Sequence, residues 1–520
     1  MRCFAKNFLP DVLTHKLVKD RRATQCITYA TLASILFSSL CAAAGPPTAD
    51  LVLINGNVRT LDRSAPLAEA LAVSGGKITA VGSNPQIRKL IGERTRVIDA
   101  KGRLVLPGFN DAHVHFAAIG NKFSSIDLRK VRTAEEMAAR FAEYVRYLPK
   151  GRWILGSGFD PALATKDGGK LRQLADDAAP DNPVFVYSTD VTLAFANGEA
   201  LSRATNAAAA GSAGGFLRGG AVGAVASIVP RDHVRNWPEI IQTATNYAAS
   251  LGITSVQDMH SDDMTDVCRG LEQAGKLKTR VYDCVPISYV SDLAANGVKA
   301  AKGTAMVRTG CVKSFSDGDE TEAVWLRRDI AAADKAGVQV MVHAIGPRAN
   351  AVVLDAFESV ARANGRRDRR FRVEHAHNAA DPDLPRFAQA GIIASMQPWL
   401  FFAGSHGSVF ERHLKLGTRI AFGSDASMTD LDPLLGIQAA ITGPGAVGLE
   451  DAVRAYTVGS TFAEFQEKVK GTIERGKLAD LVIISDDIFT IDPKKIRNAE
   501  VVVTVVSGRI VYEKQELIPN

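Results

Sequence analysis

The sequence predicts an α/β protein, a (β/α)8 barrel of the TIM type with a small β domain assembled from both ends of the chain. Three observations carry that prediction. Eight apolar segments alternate with polar loops and helical stretches, both chain ends carry short strands of a different texture, and several of the eight segments end in histidine, lysine or aspartate. With 520 residues, 46% hydrophobic and 23% charged, the chain has material for one large barrel and a smaller unit.

Taken in order, residues 1–44 stand apart. They carry Arg2, Lys6, Lys16, Lys19, Arg21 and Arg22 against Asp11 and Asp20, so they hold +4 of the chain's formal +6. A basic stretch leads into the apolar "CITYATLASILFSSLCAAAG", with Ala42 and Ala44 in an A-x-A arrangement. This reads as a signal peptide cleaved after Ala44, and it predicts a secreted or periplasmic protein. No later stretch is long and apolar enough to span a bilayer, so no stable membrane embedding is expected once the signal is removed. The remaining charge is near balance and no basic stripe is interleaved with aromatics, which argues against nucleic acid as a partner. Three of the six cysteines fall in the leader, leaving Cys268, Cys284 and Cys311. These allow one disulfide at most, so no disulfide framework is expected.

Next come "LVLINGNVRTLD", "EALAVSGGKITAVG" and "TRVIDAKGRLVLPG", alternating segments split by Gly and Asn turns, as antiparallel strands are. "ADLVIIS" and "VVVTVVSGRIVYEK" repeat that texture at the other end. Residues 49–107 and 469–516 are therefore expected to form one β domain around a barrel of 108–468. Barrel strands are read at "LVLPGFNDAHVH", "GITSVQDM", "RVYDCVPIS", "CVKSFSDG", "VQVMVHAIG", "FRVEHAH", "GIIASMQP" and "RIAFGSDA". An insertion at about 120–246 separates the first two and is expected to cover the barrel mouth, with Ala204–Gly215 as a loop. Strand alternating with helix implies parallel pairing through right-handed crossovers, and eight units close a ring.

Catalytic groups of such barrels gather at the C-terminal ends of the strands. Here those ends carry His113 and His115, then Lys313 and Asp317, His343, His375 and His377, and Asp425. Residues two apart in a strand face the same way, so His113 and His115 can approach one ion together. Imidazoles with a carboxylate suit a divalent metal, Zn2+ foremost, with Mn2+, Fe2+, Co2+ or Ni2+ compatible. His377, Asp317 and His260 are candidates for contact with a small-molecule substrate or for supporting the ligands. Alternation points Glu374 away from the site, toward the surrounding helices. His233 and His413 are expected in solvent, and His406 near the pocket. "GSAGGFLRGG" follows no strand of a βαβ unit, so a phosphate-binding role is rejected.

"LPGFNDAHVH", "CVKSFSDG", "VHAIGPRA", "RVEHAH", "AFGSDAS" and "KGTIERGKLADLVI" together resemble the amidohydrolase superfamily, most closely its amidohydrolase-3 branch of YtcJ-like hydrolases, over Leu51 to Lys514. The resemblance implies a deformed barrel flanked by a β-sandwich and one or two divalent metals. His113, His115 and Asp425 would hold the first, His343 and His375 the second, and Lys313, N6-carboxylated, would bridge them. It implies hydrolysis of an amide-type C–N bond in a small organic substrate by metal-activated water, with Asp425 moving the proton. Ester, carbamate or lactone hydrolysis, or ligand binding without turnover, are the alternatives, and homo-oligomers are common in the family. The chain departs from the pattern at "DGDETEAVW", at Pro347, at Thr192 and near "GGFLRGG", all outside the ligand set. His343 is followed by "AIGPRA" without a glutamate, which disfavours deamination.

Overall fold

The computed structural model describes residues 48–514, apart from 123–124, 167, 190–192, 205–212, 231–236, 260–263, 404–409, 427 and 444. The expected signal segment, Thr192, His233, His260, His406 and most of the Ala204–Gly215 loop lie outside the described residues.

Eight parallel strands run side by side in chain order: Phe109–Val114, Ile253–Met259, Arg280–Pro286, Val307–Ser316, Gln339–Ile345, Arg372–His377, Ile393–Met396 and Ile420–Phe422. They are the eight segments read from the sequence. Three ties close the ring between the eighth strand and the first. Ser424 N–H donates to Asp111 Oδ1 (3.0 Å), Asp425 N–H to the His113 carbonyl (2.8 Å), and His115 N–H to the Ala426 carbonyl (2.6 Å). Gly423 makes this approach feasible, since a Cβ there would lie 2.4 Å from His113 N. The crossover helices start and stop where local chemistry allows. After strand four, the Asp319 side chain accepts from Thr321 N–H to cap Glu320–Ala336, and Gly337, at φ 79°, ends that helix in the left-handed region.

Both chain ends build two further sheets. One has four strands in the order Lys77–Gly82, Ala70–Ser74, Leu51–Ile54 and Arg96–Asp99. The other has six, in the order Arg509–Glu513, Val501–Val506, Leu481–Ile484, Leu104–Pro107, Asn57–Arg59 and Leu67–Ala68. Leu53, Val58, Leu71, Ile98, Val105, Leu481, Ile483 and Val503 form a buried core of their own between them. Within "VVVTVVSGRIVYEK" the chain turns at Ser507-Gly508, both at positive φ (48° and 71°), the geometry of a tight two-residue hairpin. The run "LVLPGFNDAHVH", read as one strand, serves two sheets. Leu104–Pro107 pairs with Leu481–Ile484 and Phe109–Val114 joins the barrel. Gly108 is the joint, where a Cβ would sit 2.1 Å from the Thr254 methyl.

The insertion carries a five-stranded mixed sheet ordered Phe216–Leu217, Ala194–Ala196, Val184–Ser188, Ile154–Phe159 and Ser125–Asp127. Cys284 and Cys311, in register on strands three and four, form a disulfide, and Cys268 is a buried free thiol. The pair packs with Met259, Tyr282 and Met341. Cys311 precedes Lys313 by two residues and Met341 precedes His343 by two, so this sulfur-rich layer underlies the candidate ligands.

Charged groups fill the barrel floor. Arg280 grips Asp480 through two bonds of 2.7 Å and donates to Ser507 Oγ (2.6 Å), tying strand three to the terminal strands. Glu464, fully buried, accepts from Arg308, from Lys470 Nζ at 2.6 Å and from Asn110 Nδ2 at 2.6 Å.

A different buried acid yields a prediction. Asp283 lies in register with Asp258, takes the Thr265 hydroxyl on Oδ2 and, among the described residues, has no hydrogen-bond partner on Oδ1. Burial, then the charge of Asp258, pushes its carboxyl up to about 8. The folded chain therefore holds a proton that the unfolded chain releases near 3.8, so stability falls as pH rises from about 4 to 8 and is flat above. Asp283→Asn mimics the protonated acid. It is expected to stabilise the fold by about 2 kcal/mol at pH 8 and by almost nothing near pH 4, measured by denaturant unfolding. A gain that fails to grow with pH refutes the assignment.

Candidate metal centre

The site is built where the strands end. His113 is wholly buried, with Nδ1 2.7 Å from Glu374 Oε2 and, among the described residues, no hydrogen-bond partner on Nε2, although Asp425 Oδ1 lies 3.5 Å away. His115 Nε2 is 3.4 Å from the same Oδ1, and its side chain is 37% exposed, so it stands at the open side of the cluster. His375 Nδ1 meets Gln397 Oε1 at 2.7 Å. With Nδ1 of both buried histidines engaged, each is left with Nε2 to present. The imidazoles then run as a chain, with ring centroids 4.8 Å apart for His113–His375, 4.4 Å for His343–His375 and 5.7 Å for His375–His377.

Several positions rest on backbone that alternation does not anticipate. His375, Ala376 and Asn378 have φ of 71°, 51° and 53°, and Asp425 has 58°. This left-handed conformation is rare outside glycine and concentrates where structure over-determines it. At the end of strand six it turns His375 toward the same interior that Glu374 faces. The expectation that Glu374 faces the surrounding helices is thereby corrected. Glu374 is fully buried beneath His113, held by Arg372 at 2.8 Å and 3.1 Å. The solvated reading of His413 is corrected as well. His413 is buried against the Phe387 ring at 4.9 Å, with Nδ1 3.3 Å from Thr418 Oγ1, and burial lowers its pKa to about 4.

Lys313 is 2% exposed, and burial lowers its pKa to about 8 despite the nearby carboxylates of Glu374 and Asp425. Its Nζ lies 4.8 Å from the centre of the Phe315 ring, which is itself 5.4 Å from His343. Burial, then the Lys313 charge, depresses His343. Burial also drives His113 and His375 far below the usual imidazole range, so all three present neutral nitrogen. Asp425 is pushed up by burial, but its hydrogen bond to His115 and the electrostatic pull of His113, His115 and Lys313 outweigh that and leave it lowered, an ionised carboxylate. Asp317 stands exposed at the rim, its N–H donating to Glu322 Oε2 at 3.1 Å.

The donor set fits a divalent ion. His113, His375 and Asp425, all buried, each offer one ligand atom, and these atoms lie within 4.8 Å of one another. Neutral imidazoles and one carboxylate are the chemistry such ions prefer. His375, expected beside His343, thus also closes on His113 and Asp425. Sequence reasoning missed Glu374, Arg372, Gln397 and Phe315. The signal available for the first two was the charged pair "RVE" inside a strand that a parallel sheet should leave apolar.

A barrel with these groups at its C-terminal rim defines a metal-dependent hydrolase. The family model described as "Amidohydrolase family" matches residues 96–512, and the chain belongs to that family. It is similar to Protein LONG AFTER FAR-RED 3 of Arabidopsis thaliana, 30% identical over 94% of this chain and 96% of the relative. It is also similar to the N-substituted formamide deformylase of Arthrobacter pascens, 27% identical over 89% of this chain and 98% of that one. A solved structure of a metal-dependent hydrolase from Pyrococcus furiosus is 25% identical, covers 84% of this chain and 99% of its own, and superposes with a TM-score of 0.58. The chain is thus an enzyme that hydrolyses carbon–nitrogen bonds with a metal.

Proposed function

We propose that the chain hydrolyses the amide bond of a small organic molecule, an N-substituted formamide or a related N-acyl compound. The convergence of His113, His375 and Asp425 within 4.8 Å, above a buried Lys313, carries this reading. The name of the Arthrobacter pascens relative supports the formamide class. A bound divalent ion, zinc foremost, would acidify water and polarise the scissile carbonyl.

The chain's own residues do the rest. His113 and His375, with Nδ1 fixed by Glu374 and Gln397, keep Nε2 aimed at one point. Asp425, ionised and 7% exposed, takes the proton of the attacking water and returns it to the leaving nitrogen. His115 and Phe315, both partly exposed, line the way in, the second offering an aromatic face to an apolar substituent. Lys313 is suited to become a carbamate. An amine near 8 is neutral in a substantial fraction at physiological pH, and the neutral form would add carbon dioxide, releasing a proton to solvent, to give an anionic side chain suited to hold a divalent ion. The Cys284–Cys311 disulfide supports a secreted or periplasmic location, because such bonds persist in oxidising compartments.

The test is a panel of formamides, N-acyl amino acids, lactones and aryl esters, offered to metal-free and zinc-loaded protein. Zinc-dependent turnover of an amide supports the proposal. Turnover confined to lactones or esters, or none at all in protein that still holds zinc, refutes it. Lys313→Ala is expected to lower bound zinc by about one ion per chain, with partial rescue by a short carboxylic acid. Unchanged stoichiometry by elemental analysis removes Lys313 from the ligand set.

A further inference from the structure

A hydrogen-bonded column runs through the barrel from its floor to the candidate metal centre. Lys470 Nζ reaches Glu464 Oε1 at 2.6 Å, and Asn110 Nδ2 donates to that same oxygen at 2.6 Å. Gln257 Nε2 donates to Asn110 Oδ1 at 3.4 Å, and Gln257 Oε1 accepts from Arg372. Arg372 Nε donates to Glu374 Oε1 at 2.8 Å, and Glu374 Oε2 lies 2.7 Å from His113 Nδ1. Every side chain in the column is at most 3% exposed. Arg372 is further held by donating to the Ala112 carbonyl (2.6 Å) and to Ser395 Oγ (3.0 Å), so it cannot swing without breaking bonds to three other strands.

We infer that Glu374, pinned by Arg372 and Gln257, is a positioning residue that locks His113 in the Nδ1–H tautomer and aims its Nε2 at the metal. This rests on the reading of the cluster as a metal centre. The physical reason is twofold. A carboxylate on Nδ1 fixes which nitrogen carries the proton, and it makes the opposite nitrogen a better donor. Arg372 holds the buried Glu374 in place through two contacts from one guanidinium, a paired geometry that fixes the orientation of the carboxyl. The column differs from the support of His375, whose Nδ1 has the neutral Gln397 amide oxygen. The two histidines are therefore unequal ligands, with His113 the stronger donor.

The test uses the full chain and zinc itself. Glu374→Gln is expected to weaken zinc retention 10- to 100-fold in chelator competition, the usual cost of losing such a partner. In the metal-free protein, imidazole nitrogen NMR should show His113 passing from one Nδ1–H tautomer to a mixture, and Glu374→Asp should restore part of the affinity. If Glu374→Gln does not fold, Gln257→Met decides instead, by a loss of threefold or more in zinc affinity with Glu374 still present. Lowered thermal stability with zinc affinity within twofold of wild type assigns the column to folding alone and overturns the inference. A wild-type chain that takes up no metal would instead sink the proposed function, so the two failures are distinguishable.

Discussion

Asp425→Asn is expected to lower turnover by roughly 10^2- to 10^4-fold while leaving the fold intact, the span attributed to a positioned general base. The amide keeps the shape of the carboxylate and an oxygen to offer, but it cannot take a proton from water. Geometry makes the effect specific. Asp425 Oδ1 lies 3.5 Å from His113 Nε2 and 3.4 Å from His115 Nε2, so it adjoins both strand-one histidines at once. Its left-handed backbone, φ 58°, is fixed by the bond from its own N–H to the His113 carbonyl, which asparagine preserves, and asparagine tolerates that conformation well. Melting temperature should therefore stay near wild type while kcat per bound zinc collapses on whichever amide the panel identifies. Turnover within tenfold of wild type removes Asp425 from proton transfer.

The largest stability effect is expected at Glu464. Burial alone would raise its pKa, but the charges of Arg308 and Lys470 outweigh burial and hold it low, so it is the anion that two buried cations share. Glu464→Gln leaves Arg308 and Lys470 facing each other in the floor of the barrel. Breaking a buried pair by removing one partner costs about 3–5 kcal/mol. The sign of the pH dependence follows from Lys470, which burial lowers to about 8 against 10.5 for the free side chain. A depressed amine favours the folded state above its unfolded value and loses that contribution as pH falls. Without Glu464 the depression deepens, so the variant's deficit should be larger at pH 7 than at pH 10. Denaturant unfolding at both values checks this, and a deficit below about 1 kcal/mol at pH 7 removes Glu464 from the role.

Much of the architecture was legible because it follows from periods. Eight apolar runs at barrel spacing gave eight strands, and the two-residue period placed His113 and His115 on one face. The Ser507-Gly508 turn was legible because its chemistry is local. What stayed hidden depends on contacts between distant segments. Nothing in "RVEHAH" announces that His375 and Ala376 adopt positive φ, a conformation stabilised by tertiary packing rather than residue type, so Glu374 was assigned to the wrong side. His413 sits in "FERHLK", where charged neighbours suggest solvent. Its burial is set by Phe387 and Thr418, neither of which periodicity can bring to it. The buried charges are hidden for the same reason. A lone arginine in a strand reads as surface until its partner, more than a hundred residues away for Arg308 and Glu464, is known.

The splice at Gly108 makes the catalytic end and the outer sheets mechanically inseparable. The hydrogen-bond register of Leu104–Pro107 on Leu481–Ile484 sets how far the next residues advance into the ring, and a slip of one position there would turn His113 and His115 to the wrong side. A gene fragment spanning 108–468 alone would discard that ratchet along with the Asp480 anchor of Arg280. Shortening this enzyme for engineering should therefore begin in the insertion's loops, and residues 480–514 should be treated as part of the active-site scaffold.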